Sequence, residues 1–198
     1  MTESIVMISL AVAILLFVLF YPFVWGNVLR ARMLKKLRNE VRAEGYKYRR
    51  FYKNIFLVHN RSSKYDLIIY NEERLYAVKL WSSYFVDTSL ILSRDGRVHE
   101  RRMTRKVFAV DDKGSFALKG FSHSVPKTKL GAKYRRGRKV FDVLLVYPSY
   151  KNVMFFDGKR EVKVSTGDEI MDKLLYSPYS FTNELKKYGT TPKTEGAE

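Results

Sequence analysis

The sequence predicts an α/β protein in which one N-terminal transmembrane helix precedes a single domain with a mixed β-sheet flanked by helices. Three features support this: an uncharged N-terminal stretch, a series of short apolar and aromatic runs separated by turn signals, and helical apolar spacing on either side of them. The 198 residues include 14 Tyr and 13 Phe, and a high aromatic content favours strands. We predict a membrane segment followed by one domain of ordinary size.

The membrane segment comprises residues 5–25, which are 21 residues without a charge. A helix of that length crosses about 30 Å of hydrocarbon. Tyr21 and Trp25 stand near its end, where aromatic rings suit the membrane interface. The preceding residues carry no base and no small-residue cleavage motif follows, so residues 1–26 are predicted to be a retained anchor rather than a cleaved signal peptide.

The flank after this segment sets the predicted orientation. Residues 26–50 contain nine Lys or Arg against Glu40 and Glu44, whereas the first four residues contain no base. The positive-inside rule then predicts a single-pass protein of the cell membrane with its C-terminal domain in the cytoplasm. These bases either bind anionic lipid headgroups or only fix the topology. The predicted membrane-surface residues are Arg30, Arg32, Lys35, Lys36 and Arg38.

Residues 27–50 are predicted to form a basic juxtamembrane helix. Leu34, Leu37 and Val41 recur at helical spacing, and Gly45 is the first residue that would end the helix. The apolar stripe is narrow and the other faces are basic. This helix can therefore either pack on the domain or lie on the membrane surface.

Residues 51–188 are predicted to form a basic α/β domain. Turn signals such as Asp95-Gly96 and Asp157-Gly158 separate the apolar runs into strands and hairpins. The predicted strands lie at 51–59, 66–70, 75–81, 85–94, 107–110, 115–118, 140–147, 153–156 and 162–164. Residues 166–175 are predicted to form a short amphipathic helix, and residues 189–198 a disordered tail.

The net charge of +17 points to an anionic partner, either nucleic acid or anionic lipid, or to a solvated surface near an anionic membrane. Residues 127–139 contain seven bases and no acid, and we expect an exposed loop or ragged helix there. Bases neutralise phosphates and an aromatic ring can stack on a nucleobase. The predicted nucleic-acid or lipid contacts are Lys127, Lys129, Lys133, Tyr134, Arg135, Arg136, Arg138, Lys139, Arg101, Arg102 and Arg105.

The composition excludes several kinds of site. The chain has no Cys, so it has neither disulfides nor thiolate metal ligands. The three histidines have no ligand-like spacing. No motif for a small-molecule substrate, a nucleophilic triad or a phosphate-binding loop is present, so no cofactor is predicted from these residues.

Residues 64–81 (KYDLIIYNEERLYAVKLW) place Asp66 before one strand of a predicted hairpin and Lys79 inside the other. A lysine within an apolar strand either reaches solvent from an edge strand or belongs to a site. The alternation of side chains puts Ala77 and Lys79 on the same face of the strand.

This segment resembles the nuclease-related (NERD) domain, a branch of the PD-(D/E)xK restriction-endonuclease-like superfamily. In that family an Asp on one strand is followed, beyond a hairpin, by Glu-x-Lys on the next; Asp66 matches the Asp and Lys79 the Lys. Residues 143–175 resemble the closing strands and final helix of the family. The resemblance implies a restriction-endonuclease-like fold, with a divalent metal such as Mg²⁺ held by Asp and Glu and an attacking water positioned by Lys.

The sequence departs from the family at Ala77, which stands where the family has its metal-binding Glu. Mg²⁺ requires several hard oxygen ligands, and Asp66 alone does not supply them. A displaced acid would have to come from Glu40, Glu44, Glu72 or Glu73.

We therefore predict a degenerate member of the family, a membrane-anchored, cytoplasm-facing basic module that is non-catalytic and binds an anionic partner. The alternative is an active membrane-tethered nuclease that uses Asp66, Lys79 and a displaced carboxylate with Mg²⁺. A further alternative is an adaptor whose basic faces simply lie on anionic lipid.

Overall fold

A computed structural model of the protein describes residues 2–51, 65–82, 88–102, 108–110, 116–118, 122–124, 130, 132–135, 137–147, 150 and 152–189. In chain order its elements are α1 (Thr2–Ala43), β1 (Lys47–Arg50), β2 (Leu67–Tyr70), β3 (Arg74–Ser82), β4 (Thr88–Ser93), β5 (Arg97–Arg102), β6 (Phe108–Val110), β7 (Phe116–Leu118), β8 (Ser122–Ser124), α2 (Ala132–Arg135), β9 (Lys139–Tyr147), β10 (Asn152–Phe156), β11 (Glu161–Lys163), β12 (Glu169–Ile170), β13 (Lys173–Tyr176) and α3 (Pro178–Lys187). The predicted α/β class, with an N-terminal apolar helix and mixed sheets, is confirmed.

Helix α1 runs without a break from the apolar segment into the domain. It is long and apolar enough to cross a membrane, with a mean hydropathy of 2.7 over 18 residues that are 0% buried. Burial begins with Asn27 and Arg30 and continues with Leu34, Leu37 and Val41. The C-terminal part of α1 therefore packs on the domain, which was one of the two predicted placements.

The juxtamembrane helix ends at Ala43, near the Gly45 that was predicted to end it, and does not fill the predicted segment to residue 50. Gly45 adopts a φ of 79°, a conformation that suits glycine and ends helices. The Tyr46 N–H then donates to the Val41 carbonyl, and the chain reverses into β1, which pairs antiparallel with β2. The prediction of helix up to residue 50 is thus wrong for residues 47–50.

The main sheet has six strands in the order β1-β2-β3-β9-β13-β12. Strands β1, β2 and β3 are successively antiparallel, and β9 lies parallel to both β3 and β13. Leu67, Tyr76 and Val143 face α1 and α3 from this sheet. The predicted hairpin of residues 66–81 and the predicted buried strand over residues 140–147 are confirmed.

A second sheet covers the other face of the main sheet. It has five strands in the order β11-β10-β4-β5-β8. Its Leu90, Leu92 and Val98 form a core with Trp81 and Leu144 of the main sheet. The predicted hairpins at residues 107–118 and 153–164 are present as β6-β7 and β10-β11.

Residues 166–175 do not form the predicted helix. They form the β12-β13 hairpin, and β13 pairs parallel with β9. Met171 and Asp172 occupy its turn with φ of 53° and 59°, as a two-residue hairpin turn requires. The apolar spacing fits either element, and pairing with a buried central strand outweighs helical propensity.

The closing helix is instead α3, which the sequence analysis did not predict. Ser177 caps it: the Ser177 hydroxyl accepts from the Ser180 N–H and the Ser177 N–H donates to the Ser180 hydroxyl. Pro178 occupies the first turn, and Phe181 and Leu185 share the buried face. These signals are present in the sequence. The predicted strand over residues 51–59, apart from Phe51, and the predicted tail over residues 189–198, apart from Gly189, lie outside the described residues.

Candidate functional site

Asp66 and Lys79 meet inside the domain, on the face of the main sheet that is turned away from α1. The Lys79 Nζ lies 3.7 Å from the Asp66 Oδ2, and their side chains are 2% and 6% exposed. The Leu80 N–H also donates to the Asp66 Oδ2, at 2.8 Å. Because β3 lies between β2 and β9, the alternative of an edge strand with Lys79 in solvent is wrong.

A second ion pair adjoins the first on the neighbouring strands. The Lys173 Nζ lies 3.7 Å from the Asp142 Oδ1, with side chains 9% and 35% exposed. Asp142 lies opposite Ala77 in the β3-β9 ladder. We call Asp66, Lys79, Asp142 and Lys173 the ionic quartet.

The ionic quartet occupies a strip between two apolar clusters. Leu75 and Ala77 pack with Tyr134 on one side, while Trp81 and Leu144 pack with the second sheet on the other. Side chains two residues apart share a face of a strand. On this face, Lys79 therefore lies between Ala77 and Trp81 of β3. Asp142, being partly exposed, forms the solvent side of the quartet.

Within the quartet, the charge of Lys173 affects the pKa of Lys79. Burial lowers the pKa of the Lys79 ammonium, the Asp66 carboxylate opposes this shift, and the positive charge of Lys173 adds to it. The two ammonium groups are therefore near enough to repel each other. With two carboxylates present, the formal charges balance within the site.

Sequence reasoning identified only half of this quartet. Asp142 interrupts an otherwise apolar strand, which is the kind of signal that identified Lys79. Lys173 fell within the segment predicted as a helix, so its alignment with Asp142 could not be anticipated.

The residues of the quartet do not fit the Mg²⁺ that the nuclease resemblance implies. Ala77 supplies no ligand, and Asp66 and Asp142 each have an ammonium partner. Mg²⁺ binds through oxygen ligands, and two nearby ammonium groups oppose a further cation. Within the described residues, no group of three or more Asp, Glu or His is arranged to hold a metal ion.

The displaced acids do not complete such a site. Glu40 is on α1, on the opposite face of the sheet, and accepts a hydrogen bond from the Thr182 hydroxyl at 2.8 Å. Glu44 follows the end of α1, and its side chain lies beside Gly189. Glu72 and Glu73 are in the β2-β3 turn, with Glu73 about 13 Å along the strand from Ala77.

The described part of the basic stretch over residues 127–139 is only partly exposed. It contains the short helix α2, and Arg135 and Lys139 are exposed. Tyr134 is buried, at 8% exposure, and packs edge-on against Phe51 and Tyr70. The prediction that Tyr134 could stack on a nucleobase is therefore wrong, because its ring already belongs to an apolar cluster.

Arg138 has a structural role in this region. Its Nε donates to the Asn71 carbonyl at 2.7 Å and a terminal nitrogen to the Tyr134 carbonyl at 3.2 Å. Its guanidinium also lies over the Tyr70 ring, 5.1 Å from the centroid. Lys127, Lys129, Arg136 and the side chain of Lys133 lie outside the described part of the chain.

The other residues predicted to contact nucleic acid or lipid differ in whether their charged groups are accessible for that contact. Arg101 forms a bidentate ion pair with Glu161, at 2.7 and 3.0 Å, so its guanidinium is directed at a carboxylate rather than left for a phosphate. Arg102 ends β5, and Arg105 lies outside the described residues.

Arg30, predicted at the membrane surface, is buried at 7% exposure. The remaining predicted membrane-surface residues are exposed: Arg32, Lys35, Lys36 and Arg38.

Comparison with known proteins gives no family for the chain. No protein-family model matches it, and no match was found among curated proteins or solved structures. The resemblance to the nuclease-related domain stays a prediction that rests on the quoted residues.

Proposed function

We propose that this protein is a single-pass membrane protein whose cytoplasmic domain binds nucleic acid without hydrolysing it. The observation that carries the proposal is a concentration of bases at the end of the domain furthest from the apolar segment. We call this surface the distal rim. Its exposed bases are Lys47, Arg49, Arg135 and Lys139, and the half-buried Arg74 and Arg138 lie beside them.

The strand directions support this arrangement of the rim. Strands β1 and β3 point in the same direction because both are antiparallel to β2, and β9 is parallel to β3. Strands β1, β3 and β9 therefore start at the same edge of the main sheet. Lys47, Arg74 and Lys139 are the first residues of those strands. Arg74 and Lys139 are also direct partners in the β3-β9 register. Glu44, Glu72 and Glu73 lie near the same edge, so six bases face three acids there.

The height of the rim above the membrane favours nucleic acid over lipid as its partner. Helix α1 ends at Ala43, 18 residues beyond Trp25, which is about 27 Å of helix. Charges interact over a Debye length of about 8 Å at physiological ionic strength. Even with an ordinary helix tilt of about 20°, the rim stands well beyond the reach of lipid headgroups. This distance supports a soluble polyanion as the partner of the rim.

Bases nearer the membrane suit the other predicted partner. Arg32, Lys35 and Lys36 are exposed on α1 and lie about 10–17 Å from Trp25 along the helix. They support an electrostatic contact with anionic headgroups, which helps to hold the domain upright. This contact accompanies nucleic-acid binding and does not replace it.

The ionic quartet supports a non-hydrolytic function. Its carboxylates are paired with ammonium groups, so a metal-dependent hydrolysis would first have to displace those partners. The nuclease alternative would require both a displaced acid and a free carboxylate pair, and the described geometry favours neither.

The test uses the full chain in nanodiscs of neutral phosphatidylcholine, so that the lipid cannot compete for the bases. Binding of a fluorescent DNA duplex is measured by anisotropy over a range of salt, with and without Mg²⁺. We expect binding that weakens with salt and no cleavage of the duplex. Absence of binding at low salt would refute the proposal, and Mg²⁺-dependent cleavage would favour the nuclease alternative.

A further inference from the structure

We propose that a cavity between α1 and α3 binds a phosphorylated polyol, which is a small molecule that carries a phosphate group on a hydroxyl-bearing carbon frame. The cavity lies on the face of the main sheet opposite the ionic quartet, and the proposal is independent of nucleic-acid binding. Its volume is about 270 Å³, slightly below the range of about 300–1,000 Å³ for ordinary small-molecule sites. The cavity therefore suits a small ligand rather than a nucleotide or a larger cofactor.

The fold places this cavity towards the end of the domain that is nearer the apolar segment. Strand β9 starts at the distal rim and ends at Tyr147, and β13, which is parallel to β9, leads into α3 at Pro178. Both residues line the cavity, together with Met33 of α1. Met33 is eight residues beyond Trp25, which is about 12 Å along the helix. The headgroup layer is only about 5–8 Å thick, so the ligand is either a soluble molecule or a lipid headgroup large enough to rise above that layer.

Lysines from both helices line the cavity. Lys36 of α1 and Lys186 of α3 are exposed, and the Lys36 Nζ lies 3.8 Å from the Glu40 Oε1. Two ammonium groups against one carboxylate leave a net positive charge in the lining. A phosphate group carries a charge of about −1.5 to −2 at neutral pH and has three acceptor oxygens. It can therefore accept hydrogen bonds from an ammonium group on each helix.

The other polar groups of the cavity favour hydroxyl groups on the ligand. The Glu40 carboxylate accepts from the Thr182 hydroxyl at 2.8 Å, and its further acceptor positions need donors. A ligand hydroxyl supplies such a donor, whereas a second anionic group does not. The Asn183 amide lines the same cavity and can both donate and accept. Met33 and Leu37 add apolar surface for the carbon frame.

The experiment measures thermal unfolding of the full chain in neutral phosphatidylcholine nanodiscs, with inositol monophosphate as the soluble probe. At about ten times its Kd, the probe should raise the Tm by about 3–6 °C. Inositol without the phosphate should give no rise at the same concentration. Inorganic phosphate at matched ionic strength should give a smaller rise, because it lacks the hydroxyl groups.

Two double variants test whether the probe binds in this cavity. The cavity variant combines Lys36→Met with Lys186→Met, and the control variant combines Lys35→Met with Lys187→Met. Both remove two positive charges from exposed positions of the same two helices, but only the first pair lines the cavity. The cavity variant should bind the probe at least about tenfold more weakly, because two charge-assisted hydrogen bonds are lost. The control variant should bind it like the wild type.

A second arm identifies the source of the ligand. The same proteins are placed in nanodiscs that contain either phosphatidylinositol or an equal fraction of phosphatidylserine, so that the charge of the bilayer is matched. A higher Tm with phosphatidylinositol, in the wild type and the control variant but not in the cavity variant, assigns the ligand to a lipid headgroup. A response to the soluble probe alone assigns it to a free phosphorylated compound, and either response supports the proposal.

Three results would overturn the proposal. They are a wild-type Tm that responds to neither inositol monophosphate nor phosphatidylinositol, a cavity variant that responds as strongly as the control variant, and an equal rise with inorganic phosphate. The DNA-binding measurement uses a different ligand in neutral nanodiscs, so the two proposals can fail separately.

Discussion

Asp142 lies directly opposite Ala77 in the parallel β3-β9 ladder. A carboxylate therefore adjoins the position where the nuclease-related family has its metal-binding Glu, although it comes from the neighbouring strand. That carboxylate is paired with Lys173 at 3.7 Å. The charge of the carboxylate beside Ala77 is thus already compensated.

The Asp66-Lys79 pair should be important for stability. Lys79→Met leaves the Asp66 carboxylate buried without its ammonium partner, which typically costs about 3–5 kcal/mol. The D66N/K79M double variant should lose less than the sum of the single variants, because neither charge is left alone. Chemical denaturation of the full chain in nanodiscs measures these free energies of unfolding. Strictly additive losses would show that the pair is not energetically coupled.

Helix α1 should be an integral part of the domain core. Leu37 is 2% exposed and belongs to the cluster shared with the main sheet, so Leu37→Ala should reduce the free energy of unfolding by about 2–5 kcal/mol. The adjacent exposed residue provides the matched control, and Arg38→Ala should change stability by less than about 0.5 kcal/mol. Equal effects from the two substitutions would contradict the packing of α1 on the domain.

Tyr46 should make the domain sensitive to alkaline pH. Its hydroxyl donates to the Tyr188 carbonyl at 2.9 Å, and burial and the neighbouring Tyr76 raise its pKa above the ordinary value of 10.0. The folded state therefore holds this proton more tightly than the unfolded state does. The stability that results is complete below the unfolded pKa and is lost as the pH rises through the folded pKa.

The variant Tyr46→Phe tests this linkage. It should lose about 1 kcal/mol at neutral pH, because the hydrogen bond is removed. Its free energy of unfolding should also fall less steeply than that of the wild type above about pH 10. A parallel decline of the two proteins in that range would exclude a contribution from Tyr46.

The predicted topology can be tested with a single engineered thiol, because the chain contains no Cys. Tyr179 is 79% exposed at the start of α3, so Tyr179→Cys provides an accessible label. In intact cells this thiol should resist a membrane-impermeant maleimide and should react after the membrane is permeabilised. Efficient labelling in intact cells would place the domain outside and reverse the assigned orientation.

Local patterns were sufficient for much of the fold. The β2-β3 hairpin, the buried strand β9 and the end of α1 near Gly45 follow from alternation, apolar runs and turn residues. These signals depend only on residues that are close in the chain, and the structure contains the elements that they predict. The approach of Asp66 to Lys79 follows from the same hairpin.

The errors arose where distant parts of the chain decide the outcome. Residues 166–175 satisfy a helical pattern, but β13 gains backbone hydrogen bonds and apolar contacts from β9. That pairing also brings Lys173 to Asp142, so the second half of the ionic quartet depends on a long-range register. Tyr134 and Arg30 were assigned to the surface from their basic neighbourhoods, yet tertiary packing buries both.

In the proposed function, the distal rim rather than the membrane-proximal bases binds nucleic acid. The distal variant replaces three exposed rim residues, Lys47, Arg135 and Lys139, with alanine. The matched control replaces Arg32, Lys35 and Lys36, which are exposed near the membrane end of α1. Both variants remove the same formal charge from the full chain.

The most direct measurement is the dependence of duplex-DNA affinity on salt, for wild type and both variants in neutral nanodiscs. Each lost phosphate contact reduces the slope of log affinity against log salt by about 0.9. The distal variant should therefore show a slope shallower by about 2.7 and weaker binding to every sequence, while the control variant should retain the wild-type slope. A control variant that loses slope and affinity as much as the distal variant, or a distal variant that loses neither, would contradict nucleic-acid binding by the distal rim.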